Sequence, residues 1–224
     1  MISTPPELFR RQIEYLVENR VPVVRLADVR RTPGAVALTF DDGFRNFLEY
    51  GLPVLERYHL PATVFAVSGH CGRQNDWSAR SGISVPSLPL MSWDGLKEIA
   101  GAGIDLGAHS IHHPDLTRLT REQAEGELRD CRAELEDRTG RTVESVAYPY
   151  GSSTPAVRQL AQRYFRLGCG TSLRFVSARA DLFDLPRLDV YYLRNDLWFE
   201  KAARGGGSAY IALRSFFRRL RWRG

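Results

Sequence analysis

The chain has 224 residues, 43% of them hydrophobic and 25% charged, with a formal net charge of +5. That is enough chain to bury the core of one α/β domain, and the composition is that of a soluble globular protein, without an apolar run long enough to span a bilayer. The charge belongs to one end: from Lys201 onward there are seven Lys or Arg and no acidic residue, leaving 24 basic against 26 acidic residues elsewhere, which argues against a nucleic-acid-binding domain with a basic patch on its folded face.

Taken in order, Ser3-Thr4-Pro5-Pro6 predicts a helix start, with Thr4 as cap and Pro5 at the first helical position, followed by the apolar stripe Phe9, Ile13, Leu16, Val17. Val21–Leu26 reads as a strand. Ala35-Val36-Ala37-Leu38 reads as a second, buried one. Arg45–Tyr58 is a helix with Pro53 inside it, and Ala62–Val67 the next strand. The polar segment from Gly72 to Pro89, with Trp77 inside it, is long enough to be functional. Ser92 caps a helix to Ala102, and Ile104–Ala108 is a strand. Thr120-Arg121-Glu122-Gln123 is a capping box for a helix stopped by Gly140. Val143–Tyr148, a helix from Thr154 to Tyr164, and strands at Phe165–Gly170 and Arg187–Leu193 complete the alternation, which implies a largely parallel sheet covered by helices. There is no internal repeat. Cys71, Cys131 and Cys169 form no C-x-x-C and predict free thiols. The N-terminus lacks a basic stretch leading into an apolar core. Together these predict a cytoplasmic protein.

Two stretches carry the chemistry. Asp41-Asp42-Gly43 closes the strand at Leu38, and His109-Ser110-Ile111-His112-His113 follows the strand at Ile104–Ala108. Asp-Gly is also an ordinary turn signal, and a lone histidine is more often packed than ligating. Acidic residues after one strand and clustered imidazoles after another, both at carboxyl ends where α/β domains gather function, nevertheless suggest a mixed oxygen–nitrogen metal site.

Thr-Phe-Asp-Asp-Gly (39–43), His-Ser-x-x-His (109–113) and Ala-Tyr-Pro-Tyr-Gly (147–151), in that order, resemble the polysaccharide deacetylases, a family that includes the chitin and peptidoglycan deacetylases. The match to a subgroup extends to Leu-Pro-Arg at 185–187. The resemblance implies an irregular (β/α) barrel with about seven strands over residues 1–204. It implies a divalent metal held by Asp42, His109 and His113, with zinc first and cobalt, nickel, manganese or iron as alternatives. The spacing supports the pair of imidazoles, since residues four apart face the same way on a helical turn. Ser110 braces this loop, and His112 points away from the ion.

In the family, Asp41 corresponds to the catalytic base, though it could instead orient a ligand. Tyr150 corresponds to the residue whose backbone N–H stabilises the oxyanion; with Pro149 it walls the acetyl pocket. Two departures stand out. The arginine that many members carry two residues before Pro149 is Ala147 here, so Arg187 is the candidate replacement on Asp41. The family's C-terminal general-acid histidine is missing. That leaves His70 at the end of the Ala62–Val67 strand, a first strand that this chain lacks, or water.

The implied activity is hydrolytic removal of acetyl groups from N-acetylated sugars of a polysaccharide or glycan precursor. The alternatives are a metal- or glycan-binding module with little turnover, or a small-molecule amidase. Residues 205–224, a Gly205-Gly206-Gly207 hinge and a basic amphipathic tail, have two readings. The tail packs its apolar residues on the domain and leaves its arginines in water, or it lies on an anionic membrane surface, at the inner face where lipid-linked sugar precursors would be met.

Overall fold

The computed structural model describes residues 4–77 and 86–221. Five strands form one parallel sheet in sequential order: β1 (Leu38–Phe40), β2 (Ala62–Ala66), β3 (Asp105–Ala108), β4 (Ser145–Ala147) and β5 (Leu167–Cys169). The register pairs Leu38 with Ala62, Val64 with Leu106, Ala108 with Val146, and Ala147 with Cys169. Sequential order has no reversal point, so the sheet winds in one direction as an open half-barrel rather than as a doubly wound sheet.

The expected seven strands are five among the described residues. The two missing ones are the flanks. Val21–Leu26 contributes one bridge, Val23 to Val36, before a 3-10 turn at Leu26–Asp28. Arg187–Leu193 becomes a 3-10 turn over Val190–Leu193, opened by the Asp189 side chain accepting from the Tyr191 N–H; only Leu185 bridges β5, at Cys169. Pro22 lies in the first segment, where its carbonyl still accepts from the Val36 N–H at 2.8 Å, and Pro186 immediately precedes the second; neither has an N–H to donate to a longer ladder. Between β1 and these segments lies a cavity of about 1230 Å³, lined by Ile13, Leu38, Phe40 and Leu185 and also by Asp41 and Asp42.

The helices cover the outer face. α1 (Pro6–Glu18) starts one residue later than expected, with Pro5 rather than Thr4 in the cap position and no side-chain cap. Arg45–Tyr58 is not one α-helix: a wide π-helical turn over Phe47–Gly51 leads into α2 (Leu52–Arg57), since Pro53 has no N–H to close an ordinary turn upstream. α3 (Trp93–Gly101) is capped by Ser92. α4 (Arg121–Thr139) carries the Thr120/Gln123 capping box and ends at left-handed Gly140. α5 (Pro155–Ala161) is capped by Thr154, and α6 (Asp196–Ala203) and α7 (Ser208–Arg221) follow. Among the described residues no helix is long and apolar enough to cross a membrane.

The core lies where Leu128, Cys131 and Leu135 of α4 meet the sheet beside Val64, Leu106 and Val146, all fully buried. Each aliphatic side chain so buried is worth about 1.5–3 kcal/mol. On the inner side, a Cβ at Gly107 would run into the Phe65 ring. The glycine therefore lets Phe65 lie across the sheet, beneath the functional end of the barrel. All three cysteines are free.

Candidate active site

The site is assembled at the carboxyl ends of β1, β3 and β4. After Phe40 the chain turns sharply, with Asp42 at φ 71 and Gly43 at φ 74. Glycine adopts this freely; Asp42 does so at a cost typical of functional sites. After β3, Ser110 and His113 are also left-handed, at φ 66 and φ 56. The histidine segment is thus not the helical turn expected from the four-residue spacing. Side chains hold its shape instead. Ser110 Oγ accepts from the His113 N–H at 2.9 Å, and Glu127 Oε2 accepts from the N–H groups of Ile111 and His112 at 2.8 and 3.0 Å.

This bend converges the two imidazoles on Asp42. Its Oδ1 lies 3.3 Å from His109 Nε2 and 3.4 Å from His113 Nε2. One ligand atom from each of the three residues falls within 4.8 Å of the others, the one such group of His, Cys, Asp and Glu among the described residues. His109 Nδ1 sits 2.7 Å from the Ala147 carbonyl. That bond places the ring proton on Nδ1 and turns the Nε2 lone pair inward. Both rings are buried.

The donor set fits a metal ion. For bonds of about 2.0–2.1 Å, the ligand atoms around a tetrahedral zinc lie about 3.3 Å apart, close to the Asp42–imidazole spacings. His113 is neutral, since burial and then the neighbouring His109 hold it down at about 2, and a neutral imidazole is the ligating form. For His109, burial alone would favour the neutral ring, but the Asp42 hydrogen bond and the charges of Asp41 and Asp42 outweigh it and raise its pKa. The pocket therefore favours a positive charge where the three side chains meet. His112 points out, 2.7 Å from Glu127 Oε1 and largely exposed.

Asp41, next to Asp42 and within electrostatic reach of both imidazoles, is paired with Arg187. Arg187 grips it with both arms, Nη1 to Oδ1 at 2.5 Å and Nη2 to Oδ2 at 2.7 Å, while its Nε donates to the Gly170 carbonyl at 3.0 Å. The guanidinium rests 5.8 Å over the Phe65 ring. Burial pushes the Asp41 carboxyl up, but the charge and hydrogen bonds of Arg187 prevail and hold it at about 2. Arg187 thus reaches Asp41 from the segment after β5, as expected from the sequence.

Tyr150 takes φ 58 within the turn at Pro149–Gly151 and lies 4.7 Å from the His113 ring; Pro149 is buried beneath. Gly151 is left-handed as well, and a Cβ there would strike Thr171. His70 is set back from the triad. Its Nδ1 lies 3.0 Å from Asp76 Oδ1, and its ring meets Trp77 edge-on at 5.2 Å. Sequence reasoning left two participants unassigned. Trp77 stacks on the far face of the site, 4.5 Å from His113 at 26°; its one signal was a large aromatic stranded in a polar segment. Glu127 clamps the histidine loop from α4, and a glutamate in a charged helix gives no such signal.

A half-barrel of sequential parallel strands carrying a carboxylate and two imidazoles over its strand ends defines an α/β protein with a side-chain cluster that could hold a metal ion. The chain belongs to the polysaccharide deacetylase family, whose model matches residues 28–165. The Bacillus subtilis (strain 168) protein YxkH is 22% identical over 198 residues, covering 84% of this chain and 66% of that protein. Poly-beta-1,6-N-acetyl-D-glucosamine N-deacetylase of Staphylococcus aureus (strain MSSA476) is 25% identical over 161 residues, covering 69% and 53%. The chain thus spans between about half and two thirds of these relatives. Among solved structures, the Streptococcus pyogenes deacetylase PplD superposes with a TM-score of 0.70 at 24% identity, covering 82% of this chain and 80% of that one. IcaB from Ammonifex degensii gives 0.70 at 21%, covering 88% and 90%. These likenesses establish the fold.

Proposed function

We propose that the chain is a metal-dependent hydrolase that removes acetyl groups from N-acetylated sugars of a polysaccharide or glycan precursor. The observation that carries this reading is the pairing of Asp41 with Arg187 directly beside Asp42. A module that only held an ion would need the triad, but not a second carboxylate kept ionised and fixed in direction. The family membership and the poly-N-acetylglucosamine deacetylase among the relatives support the substrate class.

Asp42, His109 and His113 would hold the ion. Zinc suits two imidazoles and a carboxylate best, with cobalt, nickel, manganese and iron able to take the same ligands. When bound, it supplies Lewis acidity that polarises the acetyl carbonyl and acidifies water. Asp41 takes the proton of the attacking water as its oxygen adds to the carbonyl carbon. Arg187 weakens Asp41 as a base but fixes which lone pair faces the substrate. The backbone N–H of Tyr150 serves the oxyanion and its ring walls the acetyl methyl, with Pro149 behind. The C–N bond then breaks, and the departing amine takes a proton to leave acetate and a free amino sugar. His70 is the candidate donor; His112 is committed to Glu127.

The set-back position of His70 favours a second reading, a module that holds metal and glycan with little turnover. Acetate release from β-1,4- and β-1,6-linked N-acetylglucosamine oligomers, with and without added divalent metal, separates the two. Hydrolysis is expected to appear with metal and disappear with chelator; binding of the oligomers without acetate release would leave the module.

A further inference from the structure

The C-terminal helix α7 is an amphipathic helix mounted with its apolar side outward. Its first turn is fixed to the domain. Tyr210 stacks on Trp198 of α6 at 3.9 Å and 7°, its hydroxyl donates to the Tyr192 carbonyl at 2.8 Å, and Ile211 is buried against Leu173 and Leu193. From there, Ser215 and Arg218 lie on the half-covered side, while Ala212, Leu213, Phe216 and Phe217 are exposed. Leu213, Phe216 and Phe217 are each more than half exposed, at the one-, three- and four-residue spacings that make a single stripe. The packing reading, in which the tail buries its apolar residues and leaves its arginines in water, therefore holds for Tyr210 and Ile211 but not for Leu213, Phe216 and Phe217. Leu220, Trp222 and the last three arginines fall outside the described side chains.

We infer that this face docks the protein on an anionic membrane surface, with Leu213, Phe216 and Phe217 entering the headgroup boundary and Arg214 and Arg218 meeting lipid phosphates. Charge selects the occupant. The chain from Lys201 to its end is acid-free with seven basic residues, whereas the rest is net −2. A second copy on a two-fold axis would set that cationic stripe against itself. An anionic bilayer complements it, and Phe beside Arg is the composition of interfacial helices. The stacked Tyr210–Trp198 pair and buried Ile211 hold the helix to the domain, so the whole molecule is oriented. Ser208 and Arg218 line the same cavity as Asp41 and Asp42; docking sets that cavity beside the lipid.

The test is co-sedimentation of the full-length chain with vesicles of equal parts phosphatidylglycerol and phosphatidylcholine, and with phosphatidylcholine alone. Binding is expected only to the anionic vesicles, released at high salt. Arg214→Ala/Arg218→Ala should weaken it about thirtyfold, since each basic residue near an anionic leaflet contributes about fivefold. Phe216→Ser/Phe217→Ser should weaken it at least as much while retaining wild-type acetate release from a soluble oligomer. Recovery of the wild type in the supernatant at low salt would overturn the inference. So would a Phe216→Ser/Phe217→Ser variant that binds normally, which would point to a soluble polyanion. A dimer in light scattering that this variant dissociates would assign the face to a second copy.

Discussion

The two sides of the strand-end site are built by different means. The histidine side is set by backbone: two strand ends, left-handed residues at Asp42, Ser110 and His113, and a loop tied down by Ser110, Glu127 and the Ala147 carbonyl. The arginine side is set by one side chain, which crosses from an irregular segment to grip Asp41 from 146 positions away. Adjacent aspartates thereby acquire opposite settings, Asp42 facing two imidazoles and Asp41 a guanidinium. The lesson is that the geometry proposed to hold the metal comes from the barrel, while the charge state of the proposed base is added by a replaceable contact.

The comparison breaks most completely at the triad. His113→Ala removes one of three ligands, and metal content measured by elemental analysis is expected to fall to background together with activity. Full occupancy in this variant would mean that the ion sits elsewhere.

Next in size is Arg187→Met, which leaves Asp41 without its partner. Breaking a fully buried pair costs about 3–5 kcal/mol; with the Asp41 side chain 35% exposed, solvent screening brings the cost below that range. The Asp41 pKa should rise, moving the acid limb of the pH–rate profile upward. Arg187→Lys keeps the charge but loses the two-armed grip and should recover only part of the loss. A profile unchanged in Arg187→Met would detach Arg187 from catalysis.

Acid unfolding sharpens the same contact. The folded-state pKa of Asp41 is depressed to about 2, so its contribution is present above its unfolded value of about 3.9 and lost as pH falls through about 2. In chelator, the wild type should lose stability between about pH 4 and pH 2 more steeply than Asp41→Asn. Parallel curves for the two would show that Arg187 does not stabilise the charged form.

Trp77→Ala should have the smallest effect. It removes a stacked ring but no hydrogen bond from His113, so metal retention in a chelator competition should weaken only about two- to tenfold. A loss as large as that of His113→Ala would make Trp77 part of the metal scaffold.

Much of the site was legible because its residues sit next to strand ends. A strand, two carboxylates and a glycine mark 38–43, and a strand followed by clustered histidines marks 104–113. Arg187 was legible only as a replacement for what Ala147 lacks, since no local pattern ties residue 187 to residue 41. The five strands with helical neighbours were evident from apolar runs. The two flanks were not: Val21–Leu26 and Arg187–Leu193 look like strands by composition, but Pro22, Pro186 and the Asp189 turn deny them a ladder. The histidine loop shows the limit of spacing as a guide. Four residues separate the ligands in either a helical turn or a bend, and Ser110 and Glu127 select the bend.

The most direct measurement compares wild type and Asp41→Asn in one preparation, counting bound metal per chain and acetate released from an N-acetylglucosamine oligomer. The expected result is one ion per chain in both proteins, with acetate release lower in the variant by roughly 10²–10⁴-fold. Near-equal release by the two proteins, at equal metal content, would contradict Asp41 as the base of a metal-dependent deacetylase.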